Sequence, residues 1–436
     1  MVAGVGCRAP GRPGRMGPMV GSRRPGLAFG PLALVVSGLL AACGAPGGNE
    51  PAPSGAPATP AALAVRLTQV IATDDRAGFD ALFVTDGTAS TAAGVPSGGL
   101  APATGDRRDL LWTNLHAVGA VRFVPGLQPD QLRVSWTVAA DDTQPPAWQV
   151  IRGVTCGDHG CGLLDLAAQS GAPAPLWAVQ RVSVDHVGRV SVLAAAPGAA
   201  AAWRALAEPA LATVDAADLT GLTSGAPGEL VVEAPASFAA FEAVLGTSDA
   251  TGTGALTWIA DSGLPSDAVT PTAADPASQG GWVPPKAAVR VVVNPTATAP
   301  LSDAEKTMLL AHEAVHVVTA GRPAAPGRTW VAEGVAEQVA LTLDAGTRDW
   351  SRQAAQRQCG PAGLPPPPDA AFHGADAAAL RDAYAVSWQL VTLLWQHEPS
   401  ATAEAARLAL WDGDAASDVL ANLATWSVAW CQKPVT

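Results

Sequence analysis

The run His312-Glu313-Ala314-Val315-His316 sets two imidazoles four residues apart, with a carboxylate directly after the first. On a helix, residues four apart stand one above the other on one face, so both rings can reach a single Zn²⁺ at about 2.0–2.1 Å. Glu313 then lies about 100° around the axis from His312, where its carboxylate flanks the metal without being forced into coordination. Zinc lowers the pKa of a bound water toward about 7 and polarises a carbonyl; a flanking carboxylate can take the released proton, which produces a hydroxide nucleophile at neutral pH. The competing reading is a core helix that carries these groups by chance. It would bury two histidines and a glutamate without partners, which is costly.

These residues need a helix of defined start and a second element facing it. Ser302-Asp303-Ala304-Glu305 is a capping box that starts the helix, with Ser302 at the N-cap and Glu305 three residues on. Met308, Leu309, Val315 and Val318 give it an apolar side, and Gly321 with Pro323 beyond ends it. After the Gly/Pro-rich loop 321–328 a second helix is expected through Trp330-Val331-Ala332-Glu333-Gly334-Val335-Ala336-Glu337-Gln338. Upstream, Val289–Val293 reads as a strong strand that stops at Asn294-Pro295.

The Trp330-Val331-Ala332-Glu333-Gly334-Val335-Ala336 segment, taken with the His312–His316 motif, resembles the gluzincin metallopeptidases. In that family a glutamate of a W-x-x-E-G-x-A segment on the next helix completes the zinc site, and the resemblance implies this role for Glu333. Sixteen residues separate it from His316, slightly fewer than is usual in the family. A metzincin site would need a third histidine six residues after His316, where Arg322 stands. Glu337, one helical turn beyond Glu333, matches an acid that orients the first zinc histidine, or is simply an exposed helix glutamate. Tyr384, the chain's one tyrosine, falls in the helical pattern Leu380–Trp395. By resemblance it is the donor to the tetrahedral oxyanion. His373 is the alternative donor, and packing against Trp388 is the alternative role for Tyr384. The resemblance further implies that Val289–Val293 is the edge strand along which an extended peptide pairs. No Gly-x-Met-Glu-Asn segment for gripping a substrate amine lies upstream, which favours an endopeptidase or an undefined specificity.

Earlier in the chain, Leu63, Leu67, Val70 and Ile71 recur at helical spacing, and Phe79, Leu82 and Phe83 suggest a second short helix. Alternating segments follow at Val121–Val124, Leu132–Val138, Trp148–Val154, Trp177–Val184 and Arg189–Leu193, with a hairpin turn at Asp185–Gly188. Helices followed by a long antiparallel sheet resemble the NTF2-like (cystatin-like) fold over residues 61–195. The stretch 196–227 reads as a connecting segment with an Ala-rich helix at Gly198–Asp218, closed by Gly221–Gly228. Residues 228–436 open with a strand at Glu229–Glu233, a helix at Ser237–Leu245 and a strand near Leu256–Ala260. The expected fold class is therefore α+β: an NTF2-like α+β domain, then a zincin-type α+β metallopeptidase domain with a mostly helical C-terminal half.

Residues 1–42 read as an export signal, with five arginines, no acid and an apolar run from Leu27 to Leu40. Leu40-Ala41-Ala42-Cys43 resembles a bacterial lipobox, which implies cleavage before Cys43 and lipid on its sulfur. An uncleaved membrane helix and a plain secretory signal are the alternatives, and the export route stays open. Residues 43–60 are Pro/Gly-rich and serve as a flexible tether. Removing the signal takes five positive charges from the formal net charge of −12 and leaves −17, which argues against nucleic acid as a partner. With Cys7 and the lipid-bearing Cys43 set aside, four cysteines remain, an even number that suits an oxidising compartment, and they are expected to pair as Cys156 with Cys161 and Cys359 with Cys431. Half a metal site made by Cys156, His159 and Cys161 is the alternative for the first pair.

The expected function is that of a membrane-anchored, extracytoplasmic zinc peptidase acting on a peptide or protein substrate. The alternative is an inactive peptidase-like lipoprotein that binds peptide or cell-envelope components. An intact base at Glu313 favours the enzyme, because a structural zinc has no need of one.

Overall fold

The computed structural model describes residues 55–84, 100–139, 146–158, 160–168, 171–219, 221–223, 228–247, 254–259, 288–322, 324–372, 376–397, 400–413 and 417–433. Residues 1–42, read above as a signal, Cys43, most of the stretch 43–60 read as a tether, His159 and His373 lie outside the described residues. Among the described residues no helix is long and apolar enough to cross a membrane.

Helices α1 (Pro60–Ala72), α2 (Arg76–Asp80) and α3 (Gly105–Ala117) precede strands β1 (Val121–Pro125), β2 (Gln131–Trp136), β3 (Ala147–Gly157) and β4 (Gly160–Ala168). These four strands form an antiparallel meander in chain order. Next come α4 (Leu176–Val179), β5 (Ser183–Val187), β6 (Val190–Ala194), α5 (Pro197–Ala216), β7 (Leu230–Ala234), α6 (Phe238–Leu245), β8 (Ala255–Ile259) and β9 (Val289–Val293). The rest is helical: α7 (Pro295–Thr298), α8 (Asp303–Thr319), α9 (Thr329–Ala340), α10 (Ala345–Arg357), α11 (Ala377–His397), α12 (Ser400–Trp411) and α13 (Ser417–Cys431). The architecture is α+β.

The second sheet has the order β5-β6-β7-β9-β8. Strands β6, β7 and β9 run parallel, while β5 and β8 are antiparallel to their neighbours. Two expectations are corrected by this pairing. The hairpin 183–194, grouped by its alternation with the N-terminal sheet, belongs to the second sheet through β6 against β7. The strand Val289–Val293 is interior, between β7 and β8, so among the described residues the edge beside it is β8. A third correction is local: within Trp177–Val184 the chain first makes the short helix α4. Pro175 precedes that helix, and the strand starts only at Ser183.

Side chains of the second sheet alternate between two cores, as the strand period of two requires. Val190, Val192, Leu230, Val232, Val289, Val291 and Val293 meet α5 and α8. Leu193, Val231 and Val292, with Phe241 and Val244 of α6, join the core of the N-terminal sheet. Burying a large apolar side chain contributes about 1.5–3 kcal/mol, so these five together supply on the order of 10 kcal/mol. A chain cut at 195 or 227 would part β5 and β6 from β7, β9 and β8 and expose this shared face. Within the shared core Arg290 stacks over Trp136 at 4.0 Å and faces Glu233 at 3.5 Å, both ends of the pair being buried. Burial pushes the Glu233 carboxyl up, and Arg290 opposes that shift.

Both disulfides expected from the sequence are present, Cys156–Cys161 and Cys359–Cys431. The first joins directly paired residues of β3 and β4, a strand that periodicity alone had not revealed. The second ties the end of α10 to α13.

Candidate metal centre

Helix α8 begins as its sequence dictates. The Ser302 hydroxyl accepts from the Glu305 amide at 3.3 Å, and Glu305 Oε2 accepts from the Ser302 amide at 2.7 Å. Its apolar residues pack against the sheet and α5, which leaves His312, Glu313 and His316 toward α9 and β8. Helix α9 has no capping side chain of its own, since Arg328 stands at its N-cap. Asp369 supplies the cap from a distant 3₁₀ turn, Asp369–Phe372, accepting from the amides of Gly327 (2.8 Å) and Thr329 (3.3 Å). A carboxylate there also suits the positive end of the helix dipole.

Gly334 explains how α9 and α11 come together. A Cβ at this position would lie 2.5 Å from the Ser387 carbonyl oxygen and 2.6 Å from Val391 Cγ2. Only hydrogen permits that approach, and the approach brings Tyr384 of α11 to the same face as Glu333 of α9. Arg322, where a third histidine would have stood, is instead held by Asp412 at 3.1 and 2.5 Å and by the Gly221 carbonyl.

Three donor atoms converge. His312 Nε2 lies 3.0 Å from Glu333 Oε2 and 3.2 Å from His316 Nε2, and His316 Nε2 lies 3.3 Å from Glu333 Oε2. Donors about 2.05 Å from one tetrahedral Zn²⁺ sit about 3.3 Å apart, so the triangle has the size that a zinc ion requires. Two imidazole nitrogens and one carboxylate oxygen are also the atom types zinc takes. His312 is buried and the other two are half-buried. The residues present therefore fit a metal ion of this kind, and the group could hold one. Glu337 Oε1 stands 3.2 Å from His312 Nδ1, close enough to attract it though short of a hydrogen bond's alignment.

Burial would lower the His312 pKa, but Glu333 and Glu337 outweigh it and hold the imidazole well above its ordinary 6.5. Burial would raise Glu333, yet His316 and His312 hold its carboxyl well below the usual carboxylate range. Without metal, then, His312 keeps its proton at neutral pH. Its contribution to stability is complete below about 6.5 and is lost as pH rises through the raised folded value. That of Glu333 is present above about 4.5 and is lost as pH falls. A metal must displace the His312 proton, so zinc affinity is expected to rise about tenfold per pH unit between pH 6 and 7. Competition with a chromophoric chelator at several pH values measures this; a flat profile would mean that His312 gives up no proton when the metal binds.

Tyr384 sits edge-on to His312 with ring centroids 5.6 Å apart, and Phe372 covers its other side at 5.6 Å. Burial first, then Glu333, Glu313 and Glu337, push its phenol upward, so it stays protonated and able to donate. Glu313 is buried beside His312 on α8, and its Oε2 accepts from the Thr257 hydroxyl at 2.6 Å. Thr257 and Phe372 were not read from the sequence, because each reaches the site from far along the chain with no local spacing signal. Of the other described histidines, His116 packs tilted against Trp112 and faces Asp74, His186 contacts Ser191, and His397 stacks on Trp426. These are local partners within their own modules.

Comparison with family models, curated proteins and solved structures finds no match to this chain.

Proposed function

We propose that this chain is an extracytoplasmic zinc metallopeptidase of the gluzincin type, held at the membrane by lipid on Cys43 and acting on a peptide or protein substrate. The observation that carries the reading is the triangle of His312, His316 and Glu333 donor atoms at 3.0–3.3 Å, with Glu313 next to it on the same helix. The NTF2-like and zincin assignments of the two modules belong to the same reading. Two disulfides support an oxidising compartment, and a tether of 43–60 suits a catalytic unit that must reach its substrates.

When bound, zinc supplies Lewis acidity to the scissile carbonyl and to the attacking water. Glu313 accepts the water's proton and returns it to the leaving amine. Tyr384, kept neutral by its surroundings, donates to the oxyanion. Glu337 faces His312 Nδ1 and so favours the tautomer whose Nε2 lone pair points to the metal position. Strand β8, the edge of the sheet among the described residues, offers backbone groups to an extended peptide, in place of the interior strand β9.

Digestion of a peptide library by the zinc-loaded protein, with and without chelator, tests this. Cleavage that disappears with chelator and returns with zinc is expected. Metal binding without any cleavage would leave a peptidase-like binding protein.

A further inference from the structure

We propose that Thr257, on edge strand β8, is a positioning residue that fixes the Glu313 carboxylate for proton transfer. This rests on the peptidase reading above. Glu313 has three rotatable side-chain bonds, and a base that swings among rotamers spends little time aligned. Here Thr257 Oγ1 lies 2.6 Å from Glu313 Oε2 and 3.2 Å from its backbone carbonyl. A hydroxyl has one proton to give. The shorter contact is to the charged acceptor, which is the length and type of a strong charge-assisted hydrogen bond. With Oε2 held in this way, Oε1 is the oxygen free to exchange a proton.

Thr257 is itself held firmly. It pairs with Val291 of β9, whose side chain is fully buried, and β-branching restricts its own χ1. Ala255, two residues earlier, is buried in the core shared with α8, so the strand alternation turns Thr257 toward that helix. The base is thus clamped between its own helix and the edge of the sheet. The strand offered to an extended peptide is the strand that holds the base, so one element sets both the peptide's register and the position of the proton acceptor.

The test uses the full chain as Thr257→Val, which keeps the shape and deletes the donor, and Thr257→Ser, which keeps the donor. Thr257→Val is expected to bind one zinc per chain, lose about 10- to 100-fold in kcat and keep KM within about twofold. Thr257→Ser should stay within about threefold of wild type in both constants. A second readout needs no activity: in the metal-free protein Thr257→Val should lower Tm by about 3 °C, and by under about 1 °C when Glu313 is already alanine. An active wild type with unchanged kcat in Thr257→Val, or equal Tm shifts in both backgrounds, overturns the role of Thr257 alone. A wild type without chelator-sensitive cleavage overturns the peptidase reading and this role with it.

Discussion

Glu313→Gln is expected to bind one zinc per chain with wild-type affinity and to lose on the order of 10³- to 10⁴-fold in kcat/KM. The amide has nearly the volume of the carboxylate, and its oxygen can still accept from the Thr257 hydroxyl that now lies 2.6 Å from Oε2. Packing on α8 is therefore preserved. What the amide cannot do is take a proton. A single general acid or base contributes typically about 10²–10⁴-fold. In the proposed mechanism Glu313 serves first as acceptor and then as donor, which places its loss at the upper end of that range. The metal triangle does not include Glu313, so zinc titration should be unchanged. Steady-state cleavage of a peptide selected from the library and zinc content per chain are the two measurements. Undiminished cleavage by this variant would exclude the mechanism, and loss of zinc would mean that Glu313 is itself a ligand.

The site's central parts were readable because each depends on short-range rules. The Ser302–Glu305 capping box starts α8 at the predicted residue, and the four-residue spacing within it puts His312 and His316 Nε2 atoms 3.2 Å apart. Glu333 needed a family resemblance, because its approach to His312 depends on the course of the loop between two helices. The strand 289–293 was located to the residue, but its place in the sheet was not. Its near-continuous apolar run, broken only by Arg290, was the available signal for an interior strand, whereas a one-sided edge strand alternates. Arg290 obscured that signal; its partners, Glu233 and Trp136, sit on two other strands from different parts of the chain.

Long-range pairing also hid other features. Helix α3 has only Leu111, Asn114 and Leu115 buried, too few to mark an apolar face, and Asn114 is buried because its amide serves the Trp177 and Gln180 carbonyls and the Val182 amide. Thr257 lies 56 residues before Glu313, and nothing in a polar residue on a short strand announces a partner so far away. The hairpin 183–194 alternates as any hairpin does. Only the parallel pairing of β6 with β7 across helix α5 decides which sheet it extends.

Glu333→Ala should be the most damaging single change to metal binding, with zinc affinity falling by well over about a hundredfold. Removing the carboxylate takes one of three donors and the only negative charge among them. The remaining pair, two nitrogens 3.2 Å apart, would hold zinc by two bonds. Glu337→Ala provides the scale. Losing a carboxylate that only orients a ligand costs typically about 10- to 100-fold in affinity, and Glu337 approaches His312 from the Nδ1 side, away from the triangle. The order wild type, Glu337→Ala, Glu333→Ala in increasing dissociation constant thus separates a ligand from its support. The metal-free state sharpens the contrast, because Glu333 and Glu337 both hold the His312 proton in place. Either substitution weakens proton competition and so favours metal slightly at low pH. The Glu337 variant should therefore lose less affinity at pH 6 than at pH 8, while loss of a true ligand should dominate at both. Zinc affinity in Glu333→Ala that matches wild type would remove Glu333 from the site and with it the reason to place this chain among enzymes that complete a two-histidine helix with a glutamate.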